Sequence, residues 1–314
     1  MKNPATRNLS LKGKLQIVIT AVLLATGPVA AEGRPNIVWI FAEDTSPWMG
    51  CYGHEANQLA TPHIDSIAAS GVRFDRAYVP APVCSACRSA MMVGASQIRF
   101  GAHEHRSSRA PDAQLPLDEG LKLLPQIMKE AGYTTGNFGK TDYNFVWDEQ
   151  ATYSKTAKGR GEVDWDALTE AEPFFVQVQT GGGKTNTSKF PESRQTDPST
   201  VTVPADYPQN QLYHGVVAQH CDAIRMEDDF VGTILEGLET AGLLKNTIVV
   251  YLSDHGANRL VRHKQMPTEG GLLAPAHAFP VPSRGREHAV RLRSASACDE
   301  RGGSRRGQRD RPRS

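Results

Sequence analysis

"PNIVWIFAED", Pro35 to Asp44, is a short apolar, β-branched run that ends on two acids, Glu43 and Asp44. Such a run predicts a buried strand. In a parallel sheet, the carboxyl end of a strand is where ligands collect. "NTIVVYLSDHG", Asn246 to Gly256, has the same form and runs into Asp254, His255 and then Asn258. Between these two stretches, helical and strand patterns alternate. "TPHIDSIAASG" reads as a helix with Thr61 at its cap, Pro62 in its first turn and Gly71 at its close. "VRFDRAYV" reads as a strand, and "CRSAMMVG" as a helix entered from the Pro-rich turn "VPAPVC". "LLPQIMKEAGYTTGNFGK" reads as helix, glycine stop and strand, and "PFFVQVQT" as a strand. From Leu212 to Leu244 the spacing of Val217, Ile224, Phe230, Val231, Ile234 and Leu238 predicts one long amphipathic helix. The alternation predicts an α/β fold, a mainly parallel mixed sheet sandwiched by helices.

Glu43 and Asp44 at one strand end, with Asp254 and His255 at another, supply hard oxygen ligands and one imidazole. Converging on one sheet edge, they would hold a divalent cation. Arg88, Lys140 and Lys264 add positive charge around the same place, which suits an anionic ligand.

The 314 residues suffice for one large α/β domain or two ordinary ones, and a net charge of +1 gives no global pull toward nucleic acid. The N-terminus carries Lys2, Arg7, Lys12 and Lys14, then the apolar run "LQIVITAVLLATGPVA" with Val29 and Ala31 at small-residue cleavage positions. Residues 1–31 therefore predict a secretory signal. Gly27 and Pro28 break the run, which is short for a span, so no stable membrane anchoring is expected. The mature protein is expected to be exported, periplasmic or extracellular. In an oxidising compartment the five cysteines Cys51, Cys84, Cys87, Cys221 and Cys298 are an odd set. Cys84 and Cys87 lack the second pair that a zinc site needs, and their flanks lack a thioredoxin-like pattern.

Six ordered stretches together carry a family resemblance. They are "RPNIVWIFAEDTSPWMGCYG", "TPHIDSIAASGVRFDRAYVPAPVCSACRSAMMVG", "GYTTGNFGKTDYNF", "PFFVQVQT", "CDAIRMEDDFVGTILEGLETAGLLKNTIVVYLSDHGA" and "RHKQMPTEGG". The chain resembles the sulfatases of the alkaline-phosphatase-like superfamily over Arg34 to Gly271. "GAHEHRSS" and "GKTDYNF" make it look most like the bacterial branch near the heparan N-sulfatases. The resemblance implies that Cys84, the first cysteine of a C-x-[PA]-x-R motif, is converted to formylglycine by a formylglycine-generating or anaerobic maturation enzyme. The hydrated aldehyde carries two hydroxyls: one attacks sulfur, and the other collapses to the aldehyde and ejects sulfate. The resemblance further implies one Ca2+ ion, with Mg2+ possible in its place, held by Glu43, Asp44, Asp254, His255 and the modified Cys84. Arg88 would hold the modified side chain, and Lys140 and Lys264 would bind sulfate. Cys87 falls at the family's usual Ser position and is expected to be packing, as are Cys51 and Cys221.

Three positions depart from the family pattern. Glu43 stands where Asp is usual and is one methylene longer. Asp142 stands where His is frequent. Lys184, in "TGGGKTNTS", stands near the place of a sulfate-contacting His; it can bind sulfate but is a poor neutral acid at its ordinary pKa. His103 and His105 are open candidates for the general acid and for substrate contact.

The catalytic domain is expected over residues 32–272. From 273 to 314 the sequence turns Arg-rich, with ten arginines among Ser283–Ser314. That composition cannot build a core, which predicts a disordered or aberrant tail. An abrupt change of this kind is what a shifted reading frame in GC-rich DNA produces, so the fold is expected to be incomplete at the C-terminus, without the family's second domain. The leading reading is a sulfuric ester or sulfamate hydrolase acting on a sulfated carbohydrate. A phosphoester or phosphonate hydrolase on the same scaffold and an inactive truncated homologue are its alternatives. A nucleic-acid partner is not expected.

Overall fold

The computed structural model describes residues 33–279 except Pro111, Lys158, Arg160 and Gly161. The expected signal segment, Cys298 and the tail from residue 280 onward lie outside the described residues. The fold below is that of the unit that begins at Pro35.

Seven strands make one sheet: β1 (Asn36–Ala42), β2 (Val72–Arg73), β3 (Thr134–Phe138), β4 (Lys155–Ala157), β5 (Phe174–Gln179), β6 (Thr247–Ser253) and β7 (Ala276–Phe279). Their order is β2-β7-β6-β1-β5-β3-β4. β1 lies at the centre, parallel to β5 on one side and to β6 on the other. β3 and β4 continue the parallel set, and β7 runs antiparallel between β6 and β2. Among the described residues, seven α-helices accompany them: α1 (Pro62–Ser70), α2 (Cys84–Val93), α3 (Leu124–Glu130), α4 (Glu149–Thr152), α5 (Trp165–Thr169), α6 (Gln211–Thr240) and α7 (Glu269–Leu272).

The alternation within β1 explains the layering. Val38 and Ile40 point into one core with Val176, Val178, Val249 and the α6 residues Ile224, Val231, Ile234 and Leu238. Trp39 points the other way and packs on a second core built from Met92, Phe100, Leu123, Tyr143, Phe145 and Tyr153. Helices therefore cover both faces, as a buried parallel sheet requires. All six residues of β5 are buried.

The register of β1 on β6 pairs Ala42 with Ser253. Both strands thus end at one level, and the residues that follow, Glu43-Asp44 and Asp254-His255, leave the sheet side by side. Asp44 does so in the left-handed region at φ 55°. Its amide donates to Asp254 Oδ1 at 3.0 Å, and the Asp254 amide donates to the Ala42 carbonyl at 3.1 Å. Asp228 of α6 orients α1: its carboxylate accepts the Ile64 amide at 2.8 Å and the His63 ring Nδ1 at 2.9 Å. Thr61, expected as the cap, makes no side-chain cap bond; its hydroxyl accepts the Gly50 amide instead.

Two expectations are corrected, and one element is added. "VRFDRAYV" forms a strand only over Val72–Arg73, an exposed edge, and then turns where Asp75 pairs with Arg73; Tyr78 returns as an isolated bridge to Leu273. The short strand β4 was not expected. The boundary at residue 272 falls too early, because Ala276–Phe279 is β7, with His277 and Phe279 buried. Its inward residues alternate with alanines, a pattern obscured by the Ala- and Pro-rich context. Cys87 and Cys221 are fully buried as expected, whereas Cys51 is only half-buried.

Candidate active site

The site gathers at the carboxyl ends of β1, β3, β5 and β6 and at the first residue of α2. Helix α2 is buried along almost its whole length, from Cys84 through Ala90 and at Met92. Its small residues allow this depth, and Gly94 closes it in the left-handed region with its amide on the Ala90 carbonyl. Cys84 is its N-terminal residue, so partial positive charge from the helix end lies behind the thiol.

Cys84 Sγ is 3.2 Å from His255 Nε2, 3.4 Å from Lys264 Nζ and 3.9 Å from both Glu43 Oε1 and Asp44 Oδ1. Burial pushes this thiol up, but the His255 hydrogen bond and Lys140 bring it below the ordinary cysteine value. Ligand atoms of Asp44, Cys84, Asp254 and His255, all buried, lie within 4.8 Å of one another.

The donor set fits a divalent cation. His255 Nδ1 lies 2.8 Å from the Gly256 carbonyl, a contact that an N–H satisfies. In the neutral ring, Nε2 then carries the lone pair. It faces Asp44 Oδ1 at 3.2 Å and Asp254 Oδ1 at 3.6 Å. Lone pairs so placed repel unless positive charge lies among them. The imidazole pKa reports the same demand: burial pushes it down, yet Asp254, Cys84 and Asp44 raise it above the ordinary value. Two carboxylates and one imidazole are a donor set that a hard cation accepts.

Glu43, expected among the ligands, does not join that set. The longer side chain takes its carboxylate to the ammonium groups of Lys140 and, at 3.2 Å, Lys184. Burial pushes its pKa up, but these lysines and Arg88 more than offset it and hold it at about 2. Lys140 also pairs with Asp142 at 3.1 Å, and Asp142 sits in the left-handed region at φ 57°. Lys264 places Nζ 2.8 Å from each oxygen of Asp44.

Arg88, expected to hold the modified cysteine, pairs with the Asp254 carboxylate. Its Nε and Nη2 both lie 3.0 Å from Asp254 Oδ2, its Nη1 donates to Gln179 Oε1 at 2.6 Å, and it stacks 4.4 Å over Phe41. Burial pushes the Asp254 carboxyl up, and His255 and Arg88 hold it below its ordinary value. His105 reaches the α2 N-terminus, with Nδ1 3.1 Å from Ser85 Oγ. With His103, Val83, Gln97 and Gln265 it lines a cavity of about 530 Å³. Both histidines are exposed. Asn258 only caps the following amide of Arg259.

Gln179 and Thr45 were not singled out in the sequence. The signal for Gln179 was present: glutamines at alternate positions of a wholly buried strand, "VQVQ", must be answered by polar partners.

The Sulfatase family model matches residues 35–167 and 161–282. The ulvan-active sulfatase of Formosa agariphila is 25% identical over 291 residues, covering 77% of this chain and 47% of that protein. Human N-sulphoglucosamine sulphohydrolase is 25% identical over 279 residues, covering 75% of this chain and 53% of that protein. The chain thus spans about half the length of these curated relatives. Among solved structures, a 2-O glycosaminoglycan sulfatase superposes with a TM-score of 0.57 at 20% identity, covering 78% of this chain and 64% of that one, a likeness of fold.

Proposed function

Because this chain belongs to the sulfatase family, we propose that it is a hydrolase of sulfuric esters or sulfamates on sulfated glycans. The observation that carries this reading is the convergence on one buried thiol. His255 and Lys264 approach Cys84 Sγ at 3.2 and 3.4 Å, with two carboxylates at 3.9 Å.

In this reading Cys84 is converted to formylglycine by a maturation enzyme, and its Sγ stands where a hydrate oxygen would lie. Asp44, Asp254 and His255 hold a calcium ion. When bound, the ion supplies charge that acidifies the hydrate and polarises sulfate oxygens. Arg88 keeps Asp254 ionised and aimed, through the paired contacts at 3.0 Å. Lys264, Lys140 and Lys184 bind the sulfate oxygens, and the α2 N-terminus adds to the field that favours an anion. Lys264 pairs with Asp44, and Lys140 and Lys184 pair with Glu43, so the acids keep the lysine head groups at the site. His103 and His105, on the cavity rim, face the leaving group and its sugar. The N-terminal leader supports export to the periplasm or the exterior.

The test combines mass spectrometry with turnover. After co-expression with a maturation enzyme, the Cys84 peptide should be lighter by roughly 18 Da, and the protein should cleave 4-methylumbelliferyl sulfate faster than the corresponding phosphate. An active protein whose Cys84 remains a thiol would overturn the mechanism. A preference for phosphate would overturn the substrate class.

A further inference from the structure

Helix α6 meets the sheet through an apolar face, yet that face carries a buried carboxylate, Glu227, 2% exposed. A charge there is costly unless its lone pairs are answered. They are answered by the segment that leaves β5. The Thr180 hydroxyl donates to Glu227 Oε1, and the Gly182 amide donates to Oε2 at 2.9 Å.

The other side of that segment is pressed against the peptides that carry the first acids of the site. The Gly183 amide donates to Thr45 Oγ1 at 2.8 Å, and Thr45 Oγ1 donates to the Glu43 carbonyl at 3.0 Å. Gly182 is in the left-handed region at φ 51°, and a Cβ there would collide with the Glu43 backbone and the Thr45 hydroxyl. A Cβ on Gly183 would strike the Asp44 carbonyl and the His220 ring. His220 comes from the same helix and holds Ser46 Oγ at 2.6 Å through Nε2. The next residue of the segment is Lys184, whose Nζ lies 3.2 Å from Glu43 Oε1.

We propose that Glu227 is a positioning residue: it pins the Thr180–Lys184 segment onto the Glu43–Thr45 backbone and so sets where Lys184 presents its ammonium group. A lysine stem spans several ångströms and does not fix its own head group. Placement of the charge must come from the backbone beneath it, and the Glu227 carboxylate holds that backbone from the helix side. The proposal rests on the sulfatase reading of the site for its catalytic consequence, and on geometry alone for the pin.

The experiment has two readouts, so the two readings fail separately. The first is hydrogen–deuterium exchange of the peptide covering residues 180–185 in Glu227→Gln and in Thr180→Val. The second variant removes the other arm of the pin without touching α6. Each should speed exchange of this segment by about tenfold or more, because a pinning hydrogen bond is lost. Unchanged exchange in both variants overturns the pin, whether or not the protein is an enzyme. The second readout is a double-mutant cycle with Lys184→Ala, using 4-methylumbelliferyl sulfate and the matured protein. Each pin variant should lower kcat/KM by about tenfold alone, and by less than about twofold when Lys184 is already alanine. Equal losses in both backgrounds show that Glu227 does not act through Lys184 and overturn the proposal. Absent turnover in the matured parent overturns the sulfatase reading and leaves the exchange result to decide the pin.

Discussion

Arg88→Met tests the electrostatic core of the site. The guanidinium is 1% exposed and makes two contacts of 3.0 Å to Asp254 Oδ2 and one of 2.6 Å to Gln179. Methionine keeps much of the stem volume and loses every one of these bonds. Breaking one side of a buried ion pair costs about 3–5 kcal/mol. The orphaned Gln179 acceptor adds about 1 kcal/mol or more, while apolar packing of the methionine offsets part of the total. A net loss of about 4 kcal/mol corresponds to a fall in Tm of roughly 8–16 °C for a domain of this size. The measurement is thermal unfolding by circular dichroism in EDTA at pH 7.5, where no cation relieves Asp254. The pH dependence has a definite sign. Asp254 has a folded-state pKa below its ordinary value of 3.8, so its contribution is present above that value and is lost as pH falls through the depressed one. A neutral Asp254 has little need of Arg88. The gap between parent and variant should therefore narrow as pH drops below 3.8 toward the depressed value. A Tm difference under about 3 °C at pH 7.5, or one that stays constant down to the acid limit, would refute the reasoning.

Four further outcomes are expected. Lys264→Ala should lower turnover of the matured protein by about 10²–10³-fold, as for loss of a single charge-stabilising donor; steady-state kinetics on an aryl sulfate checks this, and a change of less than threefold would remove Lys264 from the mechanism. Asp228→Ala should destabilise the fold by about 3 kcal/mol in urea, since it strips the Ile64 amide and the His63 ring of their acceptor. In the parent, the Asp228 hydrogen bond raises the His63 pKa, so that ring's contribution is full below its unfolded value of 6.5 and lost as pH rises through the raised one. Asp228→Asn should accordingly cost more at pH 5.5 than at pH 9, and the reverse order would contradict the pairing. Finally, chelation should abolish turnover, and calcium should restore it and raise Tm with the logarithm of its concentration over its Kd; turnover that survives exhaustive chelation would exclude the cation.

The two strand ends were legible in the sequence because each combines a β-branched run with polar residues that have no place in a core. Asp44, Asp254 and His255 followed directly from that. Arg88 was found through its motif, but its contacts with Asp254 and Gln179 were not, since a motif names a residue without saying which neighbour it touches. Glu43 shows the same limit from the other side: sequence spacing put it among the ligands, and one additional methylene delivered its carboxylate to Lys140 and Lys184 instead. The short strands at the two ends of the sheet were the least legible elements. β2, β4 and β7 run two to four residues each and take their conformation from the neighbour they pair with. Glu227 was invisible because one acid in the long run of α6 reads as a surface charge until the partner across the sheet is known.

The pairing of Ala42 with Ser253 makes the sheet itself a gauge for whatever the site encloses. The gap between the two acidic corners is inherited from the spacing of adjacent strands, roughly 4.8 Å, and no side-chain substitution alters it. Divergence among proteins built this way has to enter elsewhere, through the length and composition of the segments that follow β3 and β5. An insertion of one residue near the end of β6 would be a different kind of event: it would rotate Asp254 and His255 to opposite sides of the sheet in a single step, with no graded intermediate between a working site and none.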